Sequence, residues 1–152
     1  ITEKVSSDEI KRFRDLCSTV SSHLIYPSNN VDGKRNINAA RGMINKINDR
    51  FDLTLECIRR YYLNEDSPLK ETFIRYSDFF SLFKNFKGYI DFFLLQDLVS
   101  ENYNMVNFYL PFDNFERSSI PVNLEEYISY KKKVLNFVAA RSKRINTYSL
   151  SL

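Results

Sequence analysis

Residues 49 to 62, DRFDLTLECIRRYY, set three carboxylates, Asp49, Asp52 and Glu56, among three arginines, Arg50, Arg59 and Arg60. Read as one helix at about 100° per residue, Asp49, Asp52, Glu56, Arg59 and Arg60 share an arc beside a face of Phe51, Leu55, Ile58 and Tyr62. Carboxylates one turn apart can act as general acid and base or hold a metal, and a neighbouring guanidinium can stabilise developing negative charge. Asp49, Asp52 and Glu56 are therefore the candidate catalytic residues. The same spacing suits solvated i, i+4 pairs such as Glu56 with Arg60, or a strip that binds a phosphate or another protein. Such carboxylates are common on helix surfaces, so binding ranks ahead of catalysis.

A second chemical candidate is residues 32 to 42, DGKRNINAARG. A Gly-Lys pair ahead of a helix can offer amides and an ammonium to an anion. The first glycine of a nucleotide-triphosphate loop is missing, however, and Asn36 stands where Ser or Thr is required. What remains is a basic loop, with Lys34, Arg35 and Arg41 joined by Arg50, Arg59 and Arg60 as candidate anion-binding residues, or a polar turn around Asp32-Gly33.

Several chemistries are excluded or disfavoured. His23 is the only histidine, which rules out any site needing a histidine pair, and it lies nine residues from Arg14, a poor match to helical nucleases with a closely spaced Arg and His. Cys17 and Cys57 both sit in apolar helical patterns, where reduced, packed thiols are expected rather than a disulfide. No metal set and no cofactor motif is visible. Charge is unevenly distributed: residues 34–60 hold seven basic and three acidic groups and 123–152 six and two, while 61–122 hold five and nine. The basic blocks can meet as one phosphate-contacting patch or pair with the acidic middle.

The elements that must position these groups are helical. Three glycines and four prolines in 152 residues leave little material for tight β turns, and 13 Phe with 10 Tyr make the core aromatic. The patterning predicts a helix opened by Ser7, a short one capped by Asn38, one from Asp49, one over residues 68–83 capped by Ser67 before Pro68, and a last one from Asn123 to about Ile145. Residues 87–99, KGYIDFFLLQDLV, are apolar nearly all round and are expected to form the central helix. Within it Asp91 and Asp97 need cationic partners if buried, for which Lys131, Arg141 and the Arg59/Arg60 pair are the candidates. Residues 100–122 form a long connection that either packs across the helices or belongs to a site. A minimal two-strand element pairing HLIYP with VNFYL completes the expectation.

In this order, DGKRNINAARG, DRFDLTLECIRRYYLNEDSPL, RYSDFFSLF, GYIDFFLLQDLV and NFYLPFDNF resemble an uncharacterised bacterial family, a domain of unknown function, over about residues 23 to 145. The resemblance implies a longer chain with an added N-terminal region and brings no activity, cofactor or catalytic residue. The expectation is thus a mainly α, single-domain bundle of five to six helices, cytoplasmic and without a membrane span. Its function is expected to be non-catalytic binding of an anionic ligand, nucleic acid or nucleotide; the alternatives are a helical protein-interaction or homodimerisation domain, and an enzyme using the Asp/Glu/Arg strip.

Overall fold

The computed structural model describes residues 6–151. It is mainly helical, with α1 Ser7–Cys17, α2 Ile37–Met43, α3 Phe51–Tyr62, α4 Lys70–Ile74, α5 Ser77–Ser81, α6 Phe86–Phe93 and α7 Leu124–Leu150. The described residues contain no sheet, only the isolated antiparallel bridges Val31 with Lys34 and Val99 with Val106. No helix among them is long and apolar enough to cross a membrane.

Two compact units can be distinguished, one spanning Ile25–Ile120 and the other combining the described residues up to Leu24 with those from Pro121. In the second unit, α1 is capped by Ser6, whose side chain accepts from the Glu9 N–H, and α7 by Asn123, whose Oδ1 accepts from the Glu126 N–H at 2.9 Å. Glu126 accepts in turn from the Val122 N–H, closing a reciprocal cap. Lys131 pairs with Glu9, and the buried Arg141 donates from Nη1 to the carbonyls of Ser21 and His23 at 2.9 and 2.8 Å.

The first unit carries the candidate site, and its core is aromatic. Phe80 lies 4.8 Å from Phe73 and 4.9 Å from Tyr61, and Tyr89 lies 4.7 Å from Phe93 and 5.2 Å from Phe83, ring centre to ring centre. This packing explains a departure from expectation. The segment after Pro68 is two short helices, because Arg75 and Tyr76 tighten into i to i+3 bonds with Thr72 and Phe73. Tyr76 then points its hydroxyl at the Asn29 carbonyl, 2.7 Å away. Aromatic side chains favour the helix only weakly, so the demands of the core decide where it breaks. Helix α4 begins at Lys70 without a side-chain cap from Ser67.

Two further expectations are corrected. The buried helix is α3, in which every residue from Asp52 to Ile58 is buried, whereas α6 stops at Leu94 in a left-handed turn and leaves Phe92 70% exposed. The bridge partner of Val106 is Val99, not the HLIYP segment. Ser100 N–H donates to the Met105 carbonyl at 2.9 Å and Asn107 N–H to that of Leu98 at 2.8 Å. Closing a short local loop orders far less chain than pairing segments some eighty residues apart.

The turn that leads from α5 into α6 requires Gly88. A Cβ there would be driven into the Phe83 backbone carbonyl, which cannot swing aside as a side-chain tip could. Gly88→Ala is expected to destabilise the protein by roughly 1–3 kcal/mol. Thermal denaturation checks this, and an unchanged midpoint would mean that the Phe83 carbonyl does not sit this close to Gly88.

Candidate functional site

The acids of α3 are buried and its arginines only partly exposed, and all of them have assigned partners. Asp52 is 0% exposed and receives both Nε and Nη2 of Arg50, at 3.0 and 2.5 Å, together with the Tyr109 backbone N–H at 2.8 Å. Arg50 also donates from Nη1 to the Ser119 carbonyl at 3.0 Å. One turn on, Glu56 is 3% exposed and shared by two arginines: Oε2 accepts from Arg59 Nε at 2.8 Å, while Oε1 accepts from Arg59 Nη2 at 2.9 Å and Arg60 Nε at 2.8 Å. Arg60 continues to the Asp66 carbonyl and to Asn114 Oδ1, its guanidinium 5.0 Å from the centre of the Phe115 ring.

Geometry explains this burial. Residues 99–120 cross α3 with almost no regular structure, and their backbone groups need partners that a helix backbone, already internally bonded, cannot supply. Asp52 satisfies an N–H of that segment, Arg50 a carbonyl, and Arg60 a side-chain amide. The strip is not solvated, which corrects the simplest reading of its i, i+4 spacing. Asp52 and Glu56, as acid/base candidates, already hold three charge-assisted or backbone hydrogen bonds each. Asp49 stands apart, exposed and left-handed at φ 58°, with a carboxylate 3.8 Å from Arg41 Nη1.

The candidate cations are dispersed. Arg41 is buried and donates to Thr54 Oγ1, Asn38 Oδ1 and the Asp49 carbonyl at 2.8, 3.2 and 3.0 Å. Lys34 and Arg35 are exposed at the turn bridged by Val31 and Lys34, with the Arg35 carbonyl accepting from Arg75. Arg59 differs from Arg41, Arg50 and Arg60. Its Nε and Nη2 are held by Glu56, with Glu65 3.7 Å from Nη2, and Nη1 has no protein partner among the described residues. The Glu56 hydrogen bond raises the Arg59 pKa further, so this cation is permanent.

Arg59 lines a cleft of about 540 Å³ built from three segments. From α3 come Arg59, Tyr62 and Leu63; from the start of α6, Asn85, Phe86 and Lys87; and from the loop closed by the Val99–Val106 bridge, Asn102, Tyr103 and Asn104. The lining contains no carboxylate, thiol, imidazole or aliphatic hydroxyl, and the two phenols already donate, Tyr62 to the Phe80 carbonyl at 2.7 Å and Tyr103 to Asp91 at 3.0 Å. Asn85 Oδ1 accepts from Gly88 N–H, and Asn102 Oδ1 from Ser100 Oγ and Asn104 N–H, which leaves both amide NH₂ groups as donors. The cleft lining presents cations, amide donors and ring carbon. Only Arg59 among its residues is marked out by the sequence reading; the other contributors come from short Asn-rich segments without a motif, the long connection being the one signal that pointed there.

The chain matches a known family model over residues 1–145, described as a family of unknown function, DUF6994. The chain belongs to that family. No curated protein and no solved structure matches it. Among the described residues no group of three or more His, Cys, Asp or Glu is placed to hold a metal. Both cysteines are free thiols, and burial pushes that of Cys57 up to about 12.

Asp91 ties the third wall to the second. Lys87 Nζ lies 2.5 Å from its Oδ2, while Gln96 and Tyr103 donate to Oδ1 at 3.1 and 3.0 Å. The expectation paired Asp91 or Asp97 with Lys131, Arg141 or the Arg59/Arg60 pair; for Asp91 the cation comes instead from its own helix. Partial burial pushes the Asp91 pKa up, but the bonds from Lys87, Tyr103 and Gln96 outweigh it and hold the carboxyl below its ordinary 3.8.

Two outcomes follow. Asp52→Ala, by leaving Arg50 buried without its counter-ion, should destabilise by roughly 3–5 kcal/mol in urea unfolding, whereas exposed Asp49→Asn should stay within about 0.5 kcal/mol. For Asp91, a lowered folded pKa means that its contribution is complete above 3.8 and is lost as pH falls through the folded value. Carboxyl ¹³C titration should therefore give a midpoint below 3.8, and Lys87→Met should move it upward. A midpoint at or above 3.8 in the unmutated protein would break the tether.

Proposed function

We propose that this domain is a non-catalytic binding module for an anionic ligand of the nucleotide or nucleic-acid class, seated in the cleft beside Arg59. The observation that carries the reading is a guanidinium clamped by Glu56 on one edge and open on the other, facing a lining without a single carboxylate. Clamping orients the donor in advance, so less freedom is lost when an anion binds. Lys87 adds a second cation, and the amide groups of Asn85 and Asn102 add neutral donors. The half-exposed Glu65 lies near the same arginine and competes for it.

The ligand site thus narrows from the broad set Lys34, Arg35, Arg41, Arg50, Arg59 and Arg60 to Arg59, helped by Lys87. A cytoplasmic setting, where both thiols stay reduced, belongs to the same reading. One observation favours protein interaction as a second reading: Leu82 and Phe92 are 72% and 70% exposed, and the Phe92 ring stands 5.1 Å from that of Phe83. Catalysis by the α3 strip has less support, because Asp52 and Glu56 are buried in ion pairs.

Binding is tested by titrating the protein with pyrophosphate and with a short single-stranded oligonucleotide across a salt series, following backbone amide shifts. Arg59→Gln should weaken binding about tenfold or more, the worth of a charge-assisted hydrogen-bond pair. Glu65→Gln should strengthen it, and log affinity should fall linearly with log salt. No shifts at cleft residues at low salt would end this reading.

A further inference from the structure

We infer that the ligand of the Arg59 cleft is a compact phosphate ester of a planar ring, a mononucleotide rather than a nucleic-acid strand; this rests on the anion-binding reading above. Each of the three walls contributes both a ring and a hydrogen-bond donor: Tyr62 with Arg59, Phe86 with Lys87, and Tyr103 with Asn104. A ligand held between them meets aromatic carbon and cationic or amide N–H groups together, as a molecule with a π face and an anionic tail requires. A bare inorganic anion would leave the rings unused, and an apolar ring would leave Arg59 Nη1 unpaired.

Size and arrangement favour one nucleotide over a strand. The volume of about 540 Å³ lies within the range of pockets that enclose one small molecule. Strand-binding surfaces instead string their stacking rings along a basic groove so that successive bases are met in turn, whereas here one cleft is lined by rings from three segments, the partly exposed Tyr62 and Tyr103 and the buried Phe86. Asn104 is exposed, and its side-chain amide has no hydrogen-bond partner among the described residues. An amide offering one donor and one acceptor matches the edge of a heterocyclic base, as asparagine does when it pairs with adenine. The phosphate is assigned to Arg59 and Lys87.

The test compares binding of inorganic phosphate, adenosine, each of the four common ribonucleoside 5′-monophosphates and a single-stranded hexanucleotide to the full chain, by calorimetry and by amide shifts at Tyr103 and Asn104. At least one monophosphate should bind about tenfold or more tightly than phosphate, the size of one base-on-ring contact. Lys87→Gln should weaken the monophosphate by a larger factor than the nucleoside, which feels only the loosened Asp91–Tyr103 tether, while Asn104→Ala should weaken both by similar factors; the two residues are exposed, so both variants are expected to fold, and a thermal melt checks it. If phosphate binds as tightly as every monophosphate, the ring assignment is overturned and the anion reading stands. If the hexanucleotide binds more tightly than any monophosphate at equal salt, the cleft reads a strand and the inference again falls alone. If phosphate, monophosphates and oligonucleotide all leave the cleft unperturbed, both readings fall.

Discussion

Ordering a long, irregular segment against a helix requires that its backbone polar groups find partners, and the rest of the Ile25–Ile120 unit follows from how α3 meets that requirement. A helix backbone has nothing left to offer in its middle turns, so the partners must be side chains. Asp52 gives an acceptor to Tyr109, Arg50 a donor to Ser119, and Arg60 a donor to Asn114. Each side chain is itself charge-compensated by a neighbour on or beside the same helix. Isolated buried charges would cost more than the contacts return; paired and fully bonded they are tolerable. Replacement by apolar residues of the same size would remove the anchors of the crossing segment.

This requirement explains why hydropathy points to the wrong central helix. Residues 86–93 are more apolar than α3, but an apolar sequence shows only that a face can be buried. Helix α6 exposes Phe92, whereas α3 buries acids and arginines because the segment laid over it is polar in its backbone. The crossing partners lie more than fifty residues away along the chain. No local pattern around Asp52 announces Tyr109.

Features governed by nearby residues were legible. The Asn123 and Glu126 cap of α7, the mainly helical class, the packed thiol of Cys57 and the importance of the long connection all follow from spacing within a few residues or from composition. Features settled by tertiary packing were not. The break between α4 and α5 depends on where Phe73, Tyr76 and Phe80 fit among rings from α3 and α6, and the Val99–Val106 bridge depends on a short loop outcompeting a distant pairing. The cleft escaped for a related reason. Its donors and rings come from three segments, and only Arg59 lies in a stretch whose composition attracts attention.

Glu56 links fold and site through an unequal division between its two arginines. One carboxylate receives three guanidinium N–H groups, two from Arg59 and one from Arg60. Arg60 then directs its remaining edges into the protein, toward Asp66 and Asn114, with its face near Phe115, so that its charge fixes the crossing segment. Arg59, which lines the cleft, keeps Nη1 without a protein partner among the described residues. Rotating the Arg59 guanidinium to follow a mobile ligand would break two short bonds to a buried carboxylate, so the open edge behaves as a fixed donor rather than a searching one. For the proposed ligand, selectivity would come from having its acceptor at the right distance from its ring, and the wall that would set this distance, Asn102 to Asn104, is held to Lys87 by Asp91 through Tyr103. Under the proposed binding role, recognition would rest on two carboxylates outside the cleft lining: Glu56, which orients the cation, and Asp91, which positions the facing loop.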